Sequence, residues 1–145
     1  MKVLRFNGLQ SYEAMSKLQT ELVRQKLANR ESTPDHLFIM QHYPVITLGR
    51  RSHSQSIAFD ISIVKAPRGG QITYHGPGQL VIYPIMDLLR HRQSLQWYVE
   101  SLAEVMKLSV KSSFNLNCQY QSCPDRIGLW RSETGNLHQH HFIDF

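Results

Sequence analysis

The 145-residue sequence predicts an α+β domain, a mixed and mostly antiparallel sheet with packed helices. Three observations predict it. Two stretches repeat apolar residues at helical spacing, several shorter runs have strand length, and their order is strand, helix, several strands, helix. Hydrophobic residues make up 41% of the chain, an ordinary share for a globular protein and too high for a disordered one.

Residues 3–6 alternate like a short edge strand. Ser11 is placed to cap a helix over residues 12–28, with Ala14, Met15, Leu18, Leu22 and Leu27 on its apolar stripe. Lys17, Glu21 and Arg24 fall on the wet side. A polar loop over 29–35 follows, then strand-like runs over 37–40 and 44–49, broken by His42 and Pro44. Residues 50–59 read as loop, and Ile61, Ile63 and Val64 lead into a glycine-rich segment with a strand over 71–74. Gly76-Pro77-Gly78 must turn or bulge the chain, since Pro lacks a donor and Gly tolerates positive φ. A strand over 80–88 contains Pro84, which implies an edge position or a break. Ser94 caps a second helix that turns Leu95, Val99, Leu102, Val105 and Met106 inward, with Trp97 and Tyr98 near its start. Residues 112–125 are polar and show no period.

Sixteen Lys and Arg against eleven Asp and Glu give a net charge of +5, which suits an acidic partner. The excess comes from short pairs such as Arg50-Arg51, without aromatic interleaving, so no nucleic acid is expected. The longest apolar run, residues 80–89, contains Asp87 and falls short of the roughly 20 residues a membrane helix needs. There are two cysteines, Cys118 and Cys123, and Met1 opens directly onto a strand pattern without a signal peptide. An intracellular protein is expected, mitochondrial if eukaryotic and otherwise cytoplasmic.

The segment Arg68-Gly69-Gly70-Gln71-Ile72-Thr73-Tyr74-His75-Gly76-Pro77-Gly78-Gln79-Leu80 is more than packing requires. Paired glycines clear side chains where a ligand can approach the backbone, at an entropic cost. An Arg just before them can hold a carboxylate, phosphate or carbonyl oxygen. Thr73 and His75, two apart, share one strand face opposite Ile72 and Tyr74.

This segment, with Val81-Ile82-Tyr83-Pro84-Ile85-Met86-Asp87-Leu88 after it, resembles the signature of the lipoyl(octanoyl) transferase family. His42-Tyr43-Pro44-Val45-Ile46-Thr47-Leu48-Gly49-Arg50, Trp97-Tyr98-Val99-Glu100 and Gly128-Leu129-Trp130 are similar to further landmarks of that family. The likeness runs over residues 1–137, and residues 138–145 form a divergent tail.

The resemblance implies a fold like that of biotin and lipoate protein ligase catalytic domains. It implies transfer of an octanoyl group from octanoyl-acyl carrier protein to a lysine of lipoyl domains. Those acceptors belong to 2-oxo acid dehydrogenases and to the H protein of glycine cleavage. No cofactor or metal is implied, because a thioester is already activated. Arg68, Gly69, Gly70, Gln71, Ile72, Thr73, Tyr74 and His75 would line the acyl site. The family's catalytic Lys and Cys follow the Gly-Leu-Trp landmark, where this chain has neither. No residue is therefore assigned a catalytic role, and the chain is expected to be a truncated, inactive transferase. Cys118, Cys123, His138 and His140 match no standard zinc spacing. Two alternatives stay open: an adenylating lipoate or biotin ligase relative, whose glycine block differs, and a non-catalytic protein that binds acyl carrier protein.

Overall fold

The structure, a computed structural model, describes residues 1–52, 60–123, 126–133 and 136–141. They fall into two compact units, Met1–Asp87 and Leu88–Phe145.

The first unit holds β1 (Lys2–Gln10), α1 (Tyr12–Ala28), β2 (His36–His42), β3 (Val45–Leu48), β4 (Ser62–Lys65), β5 (Ile72–His75) and β6 (Val81–Ile85). They form two three-stranded sheets, ordered β1-β2-β6 and β4-β3-β5. In each sheet one outer strand runs parallel to the centre and the other antiparallel. β6 is an outer strand, so Pro84 sits where a missing donor interrupts no central ladder. β1 extends to Gln10, beyond the expected 3–6, because a register shift between Arg5 and Leu9 lets it resume pairing with β2. Gly8, at φ +70°, carries the backbone through that bulge.

α1 has the expected bounds, and the Ser11 side chain accepts from Ala14 N at 3.3 Å. Its inward stripe differs from the expected one. Met15 and Leu22 pack on Phe38, Met40 and Ile85, and the same stripe continues through position 26. Lys26 is accordingly buried, while Leu27 is 64% exposed. Lys26 Nζ reaches Asp35 Oδ1 at 2.7 Å and Thr33 O at 3.1 Å. Asp35 Oδ1 also accepts from Asp87 N at 3.1 Å, tying the end of α1 to the start of β2 and the end of β6.

β2 alternates strictly, with His36, Phe38, Met40 and His42 buried and Leu37, Ile39 and Gln41 half-buried. His42 therefore continues the strand instead of breaking it.

The second unit holds a 3₁₀ turn (Leu88–Arg90), α2 (Leu95–Phe114), β7 (Cys118–Cys123), β8 (Arg126–Glu133) and β9 (Asn136–His141). The three strands form an antiparallel sheet in chain order. Ser94 caps α2 by accepting from Trp97 N, and Asn115 closes it in the left-handed conformation. The buried stripe is Ala103, Met106 and Val110 against Cys118 and Leu129. Leu95 and Val105, expected inside, are 70% and 58% exposed. β7 lies within the polar stretch over 112–125 that shows no period in the sequence. Across both units the pairing is mixed and mostly antiparallel, so the α+β class holds. No described helix is long and apolar enough to cross a membrane.

Candidate functional site

β5 pairs with β3 so that Thr73 lies opposite Thr47 and His75 opposite Val45. Alternation then splits the expected residues. Thr73 and His75 face the covered side, while Ile72 and Tyr74 are 47% and 50% exposed and Gln71 is exposed with them.

Arg68 is spent on the protein itself. Its Nη2 donates to Thr47 Oγ1 at 2.7 Å and Thr47 O at 3.1 Å, and Nη1 donates to Gly69 O at 2.9 Å. Thr47, fully buried, donates its own hydroxyl hydrogen bond to Thr73 O at 3.2 Å. The oxygens an Arg was expected to hold at this place are thus supplied by the chain. Backbone bonds from Gly49 N to Gln71 O, Arg50 N to Arg68 O and Arg51 N to Gly70 O close the loop onto the end of β3. Gly70 takes φ +77°, which favours glycine there. Gly69 is different: a Cβ on it would meet nothing within 4 Å. Gly69 is open where a Cβ would stand, while its carbonyl is held by Arg68.

Beside it four rings gather: Tyr12 at the start of α1, His42 at the end of β2, His75 and Tyr83. Tyr12 stacks on His75 at 5.9 Å between centroids, and His42 lies 5.5 to 5.8 Å from the other three. His42 Nδ1 is 3.0 Å from Gln10 O and its Nε2 is 2.9 Å from Tyr83 Oη. A carbonyl can only accept, so a neutral His42 carries its proton on Nδ1 and accepts from the Tyr83 hydroxyl at Nε2. Burial pushes the His42 pKa below its usual value, against the opposing pull of the Gln10 carbonyl. Burial likewise pushes the Tyr12 and Tyr83 phenols up, while the nearby Arg68 charge pulls both down. The arrangement is a cluster of polar rings in which burial favours the uncharged forms of His42, Tyr12 and Tyr83.

Gln41 Oε1 accepts from Gly78 N at 2.8 Å and Gln79 N donates to Gly76 O, so the Gly-Pro-Gly turn is pinned to the end of β2. His42, Thr47, Tyr12 and Tyr83 were not among the expected site residues. One signal marked two of them: His42 and Thr47 are polar residues at inward positions of apolar strands.

The buried neutral His42 sets a pH dependence. Its folded pKa is depressed, so below about 6.5 the unfolded chain binds more protons than the folded one. His36, also depressed, mainly by burial and then by Lys2 and Lys26, adds in the same direction. The urea midpoint should be flat above about pH 7 and fall as pH drops below about 6.5. His42→Gln should flatten that fall; an unchanged slope would remove His42 from the account.

Cys118 is buried in the second unit. The side chains of Cys123, His138 and His140 lie outside the described ones.

The family model of the lipoyl protein ligase A/B catalytic domain matches residues 11–133. An octanoyltransferase of Gloeobacter violaceus is 41% identical over 126 residues, 85% of this chain and 55% of its own length. One from a Nostoc species is 39% identical over 128 residues, 85% and 56% of the two chains. The Arabidopsis thaliana octanoyltransferase LIP2p2, described as chloroplastic, is 36% identical over 77% of this chain and 43% of its own. The chain thus spans about half the length of the curated relatives it matches. The crystal structure of P. falciparum LipL1 in complex with lipoate superposes with a TM-score of 0.60 at 18% identity, over 83% of this chain and 38% of that one, a likeness of fold. On the extent of the family match and the identity of these relatives, the chain belongs to the lipoyl protein ligase A/B catalytic-domain family and stands in it with the octanoyltransferases.

Proposed function

We propose that the first unit seats the octanoyl thioester carried by acyl carrier protein, as the donor side of octanoyl transfer to lipoyl-domain lysines. The acceptors in this reading are lipoyl domains of 2-oxo acid dehydrogenases and the glycine cleavage H protein. Its compartment is intracellular, mitochondrial in a eukaryote, and residues 1–137 are the catalytic-domain part. One observation carries the proposal: the floor at Gly69 is open, although the loop around it is clasped at Arg68, Thr47 and Thr73. An exposed backbone held this rigidly offers a methylene chain contact without the entropy loss of ordering a loop. Gly69 and Gly70 form the floor, Thr73 and His75 the polar wall, and Arg68 holds both in place. The exposed Gln71, Ile72 and Tyr74 would meet the carrier, whose acidity suits the chain's charge of +5.

A non-catalytic version of this reading is favoured by the cysteines. The one cysteine with a described side chain, Cys118, is buried. The chain would then bind the acyl thioester without forming an acyl-enzyme.

Gly69→Ala tests the proposal because it adds a methyl into open space at an unstrained φ. Affinity for octanoyl-loaded carrier protein should fall about tenfold or more, the worth of one misplaced carbon in an apolar site, with an unchanged Tm. Intact mass should show no octanoyl adduct. Equal affinity in the variant would remove the acyl chain from Gly69, and an adduct would overturn the non-catalytic version.

A further inference from the structure

His42 is fully buried, and three elements bring a ring to it: α1 with Tyr12, β5 with His75 and β6 with Tyr83. The Gln10 carbonyl takes the proton of Nδ1, which leaves Nε2 to take the proton of the Tyr83 hydroxyl. Among the described residues no carboxylate acts on His42 to draw a second proton onto the ring. A phenol whose proton is committed in this way meets any further partner as an acceptor. Tyr83 is half-buried, and no N–H among the described residues donates to its oxygen. The Arg68 charge acts on both Tyr12 and Tyr83, so these phenols stand near the side chain that holds Gly69 O.

We infer that His42 is a positioning residue for the acyl-thioester site: it fixes the Tyr83 hydroxyl as an acceptor, and so selects a ligand with an N–H beside its thioester. The inference rests on the acyl-site reading and deepens it. A carrier protein bears its thioester on a pantetheine arm, which has an amide N–H close to the sulfur. That N–H finds a lone pair at Tyr83, whereas a carboxylate or ester oxygen in its place meets another acceptor. His42 orders the hydroxyl before the ligand arrives, so binding does not have to. Without His42 the hydroxyl would turn to suit either kind of ligand atom, and the selection would be lost. A pair that served only to tie β2 to β6 would leave ligand preference untouched.

The test titrates the full 145-residue chain with octanoyl-N-acetylcysteamine, the tip of a loaded pantetheine arm, and with its ester analogue, in which oxygen replaces the amide N–H. The amide should bind about tenfold more tightly, the worth of one hydrogen bond formed away from water. Tyr83→Phe keeps the ring, removes only the hydroxyl, and should erase the preference. His42→Leu should erase it too, while His42→Gln, whose amide oxygen can take the Tyr83 proton, should keep it. Nitrogen NMR should place the His42 proton on Nδ1, the signal being identified by its loss in His42→Gln. Tyr83→Phe and the tautomer decide the matter even if His42→Leu fails to fold. A preference that survives in Tyr83→Phe or in a folded His42→Leu, or a proton on Nε2, would overturn the inference and leave the acyl-site reading standing. Binding of neither thioester would remove both.

Discussion

Lys26→Met is expected to cost the first unit about 3–5 kcal/mol, because it leaves the Asp35 carboxylate buried without its cation. Both side chains are nearly solvent-free, at 7% and 10% exposure, and the Nζ to Oδ1 distance of 2.7 Å is that of a charge-assisted hydrogen bond. Asp35 also receives Asp87 N, and Arg30 stands 3.8 Å from the Asp87 carboxylate, so the loss spreads to the ends of three elements. Against a total stability of about 5–15 kcal/mol, about a fifth or more should disappear. Removing both charges, as Lys26→Met with Asp35→Leu, should recover most of the loss, since a buried ion pair gains little over well-packed apolar groups. Urea unfolding of the three proteins measures this. A single-variant cost under about 1 kcal/mol would mean that the pair behaves as a solvated surface bridge.

This pair also shows what the sequence could not reveal. The bounds of α1 were legible, because Ser11 and the apolar spacing mark them locally. Which residue closes the inward stripe was not. Leu27 has the stronger hydrophobic claim, yet the geometry of positions 15, 22 and 26 puts Lys26 inside, and only Asp35 makes that tolerable. His42 follows the same logic. A histidine after an apolar run reads as a break, and its strand position rests on Gln10 and on Tyr83, 41 residues away. The glycine-rich segment was legible because its cost is local: paired glycines and a Gly-Pro-Gly turn stand out without knowledge of the fold. The Arg68 clasp was not, since its partner Thr47 lies 21 residues earlier on another strand. In α2 the caps were readable, but the choice of Ala103 and Val110 as the buried stripe was made by Cys118 of β7 and Leu129 of β8, and β7 is a short strand in a mostly polar stretch. Local chemistry is written along the chain, while burial is decided by partners far away in it.

Gly49→Ala should have the largest effect on the candidate site. Gly49 is buried at the end of β3, and a Cβ there would stand 2.5 Å from Gly69 O, 2.6 Å from Gly70 O and 2.9 Å from Arg68 Nη1. None of the three can move freely. Gly69 O accepts from Arg68, Gly70 O accepts from Arg51 N, and Arg68 is held by Thr47. The loop must therefore shift by about an ångström to reach ordinary contact, opening the clasp under the glycine floor. Overpacking of this kind costs about 3 kcal/mol. A displacement of that size should lower affinity for an octanoyl thioester by about tenfold or more, the worth of a misplaced carbon in an apolar site. Gly76→Ala is the control. Its Cβ would meet the Tyr74 hydroxyl and ring, but that side chain is 50% exposed and can swing into solvent. Its cost should stay below about 1 kcal/mol, in the range of surface changes. Tm and thioester affinity measured on both variants separate a rigid backbone clasp from general intolerance to added volume. Equal losses at the two glycines would leave the clasp without support, because only at Gly49 does the new methyl press on backbone that Arg68 holds.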